Sequence, residues 1–224
     1  MTARPRDGSL APAASENVAD SAGRQGILDA LIRTAAERGF EHTSIEEVTS
    51  RAGLSPESFY RHFDDLDQCM TAAYDAFVAR LSSVSLAAVD QDADWPQQVS
   101  AALSAAMQFL FETARHARVF AVEAPRVGPA FLERQVTSSE RLAHRLRDGR
   151  RHYPQTTGSC DALELILVSG LVDRIRSCLL SEEYSRLLEC EPEFLEVLLM
   201  PYVGREEACR IASMQRDREP LRPA

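Results

Sequence analysis

Along most of this chain apolar residues return every three to four positions, which is the spacing of helices and not the alternation of strands. From Arg24 to Arg38 the residues Ile27, Leu28, Leu31 and Ala35 fall on one face, and Gly39 can end that helix. Ser44 followed by Glu47 predicts a capping box, in which hydroxyl and carboxylate each satisfy an orphan backbone N–H. The short helix that follows turns Ile45, Val48 and Ala52 inward and ends at Gly53. Ser55 suits an N-cap and Pro56 a first helical position, opening a second short helix to about Phe63. Its Phe59 and Phe63, four apart, face inward, and Ser58 is expected on the exposed face. Two short helices joined by a tight glycine turn form a helix-turn-helix, the geometry that lays a second helix in a DNA major groove.

The remaining pattern is helical too. Asp64 or Asp65 can cap a long helix carrying Leu66, Met70, Ala73, Tyr74, Phe77 and Leu81. Asp94-Trp95-Pro96 opens a helix with Val99, Leu103, Ala106 and Leu110 inward. Gly128-Pro129 opens another with Phe131, Gln135, Leu142 and Leu146, ending near Gly149. Between about Cys160 and Leu180, Leu163, Ile166, Leu167, Gly170, Leu171, Ile175 and Leu179 make a stripe that Leu165, Val168 and Val172 widen, so this helix must be covered on two sides. Pro192 opens a helix with Phe194, Leu195, Leu198 and Leu199 that is expected to break near Pro201. No strand-like alternation and no repeat period occurs. The expected fold is all-α: a tail at 1–22, a three-helix helix-turn-helix domain at 23–68, a helical bundle at 69–215, and a tail at 216–224. Residues 1–22 are assigned to a tail because they are rich in Ala, Pro, Ser and Gly without periodicity. Arg4 and Arg6 could reach DNA from it.

Charge narrows the chemistry. The net charge of −9 excludes general affinity for polyanions. From Arg24 to Phe63 five arginines face six carboxylates, a balance of −1, so DNA binding must use local donors and a few aimed arginines. Every basic residue is Arg. The five cysteines have no CxxC pair and read as small apolar residues in a reducing compartment, with no metal site and no cofactor expected. No apolar run is long enough to span a bilayer and no signal core opens the chain, so the expectation is a cytoplasmic protein without membrane contact. No GxSxG, phosphate loop or HExxH motif is present, and the five histidines lack metal-like spacing; no enzyme is expected.

Gly39-Phe40, Thr43-Ser44-Ile45, Ala52-Gly53-Leu54-Ser55 and Phe59-Tyr60-Arg61-His62-Phe63 resemble the DNA-binding domain of the TetR (tetracycline-repressor) family, over about Arg24 to Cys69. The resemblance implies a transcriptional regulator, a ligand-responsive repressor that binds a palindromic double-stranded operator as a homodimer. It implies that Tyr60 bonds a phosphate oxygen and that His62 lies near phosphate. Thr43 and Ser44 can bond phosphate at a helix start; Pro56, Glu57 and Ser58 occupy the turn where base edges come within reach; Arg61 can add a phosphate contact. Glu57 either accepts from a cytosine N4 or complements the helix dipole. Leu66 stands where the family usually has Lys, which leaves only backbone donors for a phosphate there. The helices at about 160–180 and 192–200 fit the family's four-helix dimer interface. Arg174, in an apolar stripe, needs a partner, either a carboxylate or an acidic small-molecule effector. The alternative is a helical protein with a degenerate helix-turn-helix that acts through protein partners.

Overall fold

The computed structural model describes residues 11–123, 127–158 and 160–216. These form helices and short turns, with no strand among the described residues. The chain divides into two compact units, residues 1–73 and 74–224. The division falls within a helix, five residues later than the boundary the sequence suggests.

In the first unit α1 (Ala11–Arg38) packs against α2 (Ile45–Ala52) and α3 (Pro56–Tyr60). α1 begins well before the expected Arg24, so residues 11–22 are helix and not tail. Apolar periodicity is a poor guide there because the segment is made of small and polar residues, yet its alanines are the best helix formers. The proposed arm residues Arg4 and Arg6 lie outside the described residues. Ile27, Leu28, Leu31 and Ala35 are buried as the spacing predicts, against Val48, Phe59 and Phe63. The capping box forms: the Ser44 hydroxyl accepts from the Glu47 N–H at 3.2 Å and the Glu47 carboxylate from the Ser44 N–H at 3.4 Å. Gly53 ends α2 at φ 70°, a left-handed conformation that favours glycine. Two ion pairs tie α1 to α2, Arg38 with Glu47 and Arg51 with Glu37, so two of the domain's arginines are engaged within the protein.

α3 is shorter than expected, ending at Tyr60 with a turn through Arg61 and His62. α4 (Leu66–Ala87) follows. Asp65 caps it, accepting from the Gln68 N–H at 2.7 Å, while the Gln68 side chain accepts from the Asp64 N–H at 2.7 Å.

The second unit contains the rest of α4, α5 (Trp95–Glu112), α6 (Ala114–Val122), α7 (Pro129–Arg147), α8 (Leu163–Leu180), the short α9 (Ser185–Glu189), α10 (Glu191–Val203) and α11 (Arg205–Arg216). Leu103, Met107 and Leu110 of α5, Val168 and Leu179 of α8 and most of α10 form the core. Leu142 of α7 is exposed instead of inward. α10 continues through Pro201 to Val203, two residues past the expected break. Cys69, Cys178 and Cys190 behave as small buried residues, and burial pushes the Cys69 thiol up to about 12, but Cys160 and Cys209 are exposed.

One polar network lies inside this unit. The Glu164 carboxylate, fully buried, receives two hydrogen bonds from Arg150, at 2.6 and 2.8 Å, with Arg147 at 3.5 Å. The Tyr202 hydroxyl lies 3.1 Å from Glu164 Oε1 and 3.2 Å from the Leu146 carbonyl, donating its one proton to either. α7, the turn after it, α8 and α10 thus meet at one carboxylate. Trp95 stacks beside Tyr202, with ring centroids 4.6 Å apart, and approaches Gly149 so closely that a Cβ there would sit 2.3 Å from the indole.

Candidate nucleic-acid interface

The two short helices sort their side chains by burial, and the result differs from the sequence expectation at three positions. Ser58 is only 8% exposed, and its hydroxyl accepts from the Arg61 guanidinium at 2.9 Å, so it is not on the open face. In a five-residue helix with inward Phe59 and Phe63, Ser58 falls on the edge of the buried side. The His62 side chain is 7% exposed and its Nε2 lies 3.6 Å from the Asp20 carboxylate on α1, so the ring faces inward. The early start of α1 creates that contact. The Thr43 hydroxyl is buried and donates to the Gly39 carbonyl at 3.0 Å, which uses the proton a phosphate would need.

What remains outward is one continuous face. Pro56, Glu57, Tyr60 and Arg61 are exposed, and the spacing 56, 57, 60, 61 puts them on one side of α3. Tyr60 is 60% exposed, its ring edge-on to Phe59 at 5.7 Å, with the hydroxyl carried outward. Ser44 uses its oxygen as a cap, but its own proton can still be donated outward. The hydroxyl of Ser55 makes no capping bond to α3; it lies 3.4 Å from the Ser58 hydroxyl. Hydrogen bonding from the Ser55 side chain and from Glu57's own backbone N–H holds the Glu57 carboxyl below the usual range. Ser55, Ser58 and Arg61 are joined in one hydrogen-bonded row, which residue spacing alone does not reveal.

At the start of α4 the Gln68 N–H is taken by Asp65 and the Asp64 N–H by the Gln68 side chain, and Asp64, Asp65 and Asp67 add negative charge. Phosphate capture by that helix end is thereby disfavoured.

In the second unit Arg174 is exposed on α8. Within one protomer its guanidinium is therefore not buried in the apolar stripe. Aromatic residues of this unit pack on one another: Phe77 lies 5.4 Å from Phe109 and 5.1 Å from Phe120, and Tyr74 lies 4.9 Å from Phe131. Open concavities include one walled by Thr34, Arg38, Glu46 and Arg51 and another along α7 by Pro129, Leu132 and Val136. Among the described residues no group of His, Cys, Asp and Glu could hold a metal ion, and no helix is long and apolar enough to cross a membrane.

Comparison with known proteins agrees with this geometry. Residues 27–73 match the model of the bacterial regulatory proteins of the tetR family. An uncharacterised HTH-type transcriptional regulator of Haemophilus influenzae is 44% identical over 46 residues, a match that spans 20% of this chain and 22% of the relative. Solved structures share the fold over a longer stretch. The fatty acid degradation regulator FadR of Bacillus halodurans superposes with a TM-score of 0.65 at 13% identity, covering 79% of this chain and 94% of that one. SmeT, the repressor of a Stenotrophomonas maltophilia multidrug efflux pump, gives 0.63 at 18% identity, covering 80% and 89%. FadR of Bacillus subtilis in complex with stearoyl-CoA gives 0.60 at 14% identity, covering 80% and 98%.

Proposed function

The chain carries, over residues 27–73, the helix-turn-helix domain of the TetR family of bacterial transcriptional regulators, and from this we propose that it is a ligand-responsive repressor that binds a palindromic operator as a homodimer in the cytoplasm and acts by binding, not catalysis. The observation that carries the reading is the outward face of α3: a capped, ion-paired scaffold presents Pro56, Glu57, Tyr60 and Arg61 together, while the residues between them are buried. In this reading Tyr60 and Ser44 hold phosphates, and Glu57 and Arg61 meet bases.

Dimerisation rests on the second unit. Ile166, Val172 and Leu180 of α8 and Val197 of α10 are exposed apolar residues. A Cβ at Gly170 would meet nothing within 4 Å, so the outer face of α8 is open for a second copy. α10 contributes less than the sequence suggests, because Pro192, Phe194, Leu195, Leu198, Leu199 and Tyr202 are already buried within one protomer. Responsiveness to a small apolar effector is supported by the likeness to regulators of fatty acid degradation and drug efflux. Bound effector would favour a spacing of the two recognition helices other than the roughly 34–36 Å of one helical turn of DNA.

The acidic start of α4 favours a second reading, in which the helix-turn-helix serves a protein partner. Selection of binding sites from random duplex DNA, followed by titration at several salt concentrations, separates the two. Enrichment of a palindrome with salt-dependent affinity supports the repressor; no enrichment favours the protein partner.

A further inference from the structure

The row of hydrogen bonds along α3 supports a more specific assignment, which rests on the DNA-binding reading above. We propose that Ser58 is a positioning residue: it holds the Arg61 guanidinium along the exposed face of α3, so that Arg61 reads a guanine in the major groove and is not a contact to the phosphate backbone.

Arg61 is exposed and leaves α3 at its last turn, where a free arginine would sample many rotamers. One of its terminal nitrogens is bonded to the Ser58 hydroxyl at 2.9 Å, and Ser58 is itself fixed by burial. Ser58 lies three residues before Arg61, so the bond directs the guanidinium back towards the helix N-terminus, the end from which a recognition helix meets base edges. A guanidinium has five N–H donors, so the serine uses one and leaves enough for the O6 and N7 of guanine. The other arginines near this surface are differently engaged: Arg38 and Arg51 are ion-paired and Arg24 lies over the Phe63 ring. Glu57 lies one turn before Arg61 on the same exposed face. Together they offer an acceptor suited to cytosine N4 and a donor fork suited to guanine.

The test is selection from random duplex DNA with the full-length wild type, Arg61→Lys, Ser58→Ala and the double variant, with helicity and melting temperature checked for each. Wild-type protein is expected to demand guanine at one position of each half-site. Arg61→Lys, an exposed change that leaves the fold intact, should relax that position by on the order of tenfold. Ser58→Ala should relax the same position and no other, and the double variant should be no worse than Arg61→Lys. A uniform loss of affinity for all sequences in Arg61→Lys would show a phosphate contact and overturn the proposal. So would a change at a different base pair in Ser58→Ala, an unchanged profile in either single variant, or additive losses in the double. If the wild type enriches no sequence, the DNA-binding reading fails and this assignment with it; enrichment with unaltered variants refutes the assignment alone.

Discussion

At the scale of single residues, burial decides which polar side chains can work outward. Tyr60 and Ser58 are two residues apart, yet one is 60% and the other 8% exposed. Tyr60→Phe should therefore cost roughly 0.5–1.5 kcal/mol of DNA binding per half-site, similar for every operator variant because phosphate carries no sequence. Titration against single-base variants at fixed salt checks this; a change in base preference would mean that the hydroxyl meets a base. Glu164 illustrates the same principle inside the protein. Burial pushes its carboxyl up, but the Arg150 guanidinium, its own backbone N–H and the Tyr202 hydroxyl together hold it below the ordinary range. A carboxyl depressed on folding stabilises the protein above its unfolded pKa, and that stability is lost as pH falls through the folded value. Thermal midpoints should thus decline on acidification below about pH 4–5, and Glu164→Gln should flatten that decline. At neutral pH the same substitution leaves Arg150 without its partner. About 3 kcal/mol is expected, seen as a fall in Tm of on the order of 5–10 °C.

Caps and close approaches fix the elements. Ser44→Ala removes the acceptor for the Glu47 N–H and should cost about 1 kcal/mol of stability. Because it also removes a donor at the interface, DNA affinity should fall in addition, and comparison of urea midpoints with binding titrations separates the two effects. Gly149 is required by space: a Cβ would overlap the Trp95 ring. Gly149→Ala should displace the indole and with it the Tyr202 side of the Glu164 network, which a shift in tryptophan emission and a lowered Tm would report. Gly170 is the opposite case, since nothing lies within 4 Å of an added Cβ. Gly170→Leu should leave helicity and Tm of the protomer unchanged and act only on association.

For the whole molecule the proposed consequence is a dimer built mainly on α8. A charge placed in its exposed apolar face, as in Val172→Glu, should convert a dimer at micromolar concentration into a folded monomer. Light scattering reads the mass and circular dichroism the fold. A monomeric wild type would refute the dimer, and a dimeric Val172→Glu would move the interface away from this part of α8. Loss of the dimer should also weaken operator binding, because two half-sites are then no longer held together.

The sequence by itself determined the helical class, the capping box, the glycine at the end of α2 and the inward faces of α1 and α5. All of these depend on neighbours within one or two turns, through periodicity, backbone conformation and side-chain reach. The family resemblance points Tyr60 at phosphate, and position on the recognition helix puts Pro56, Glu57 and Ser58 near base edges; of these Ser58 alone is buried. Tertiary structure decided the rest. The burial of the His62 ring depends on α1, whose first turns carry no apolar signal. Arg174 and Leu142 are exposed in the protomer because a broadly apolar or mixed helix has several possible inner faces, and only its neighbours select one. The meeting of Arg150, Glu164 and Tyr202, drawn from positions up to 52 apart in number, is likewise fixed by the packing of α7, α8 and α10, since residues so distant share no local pattern.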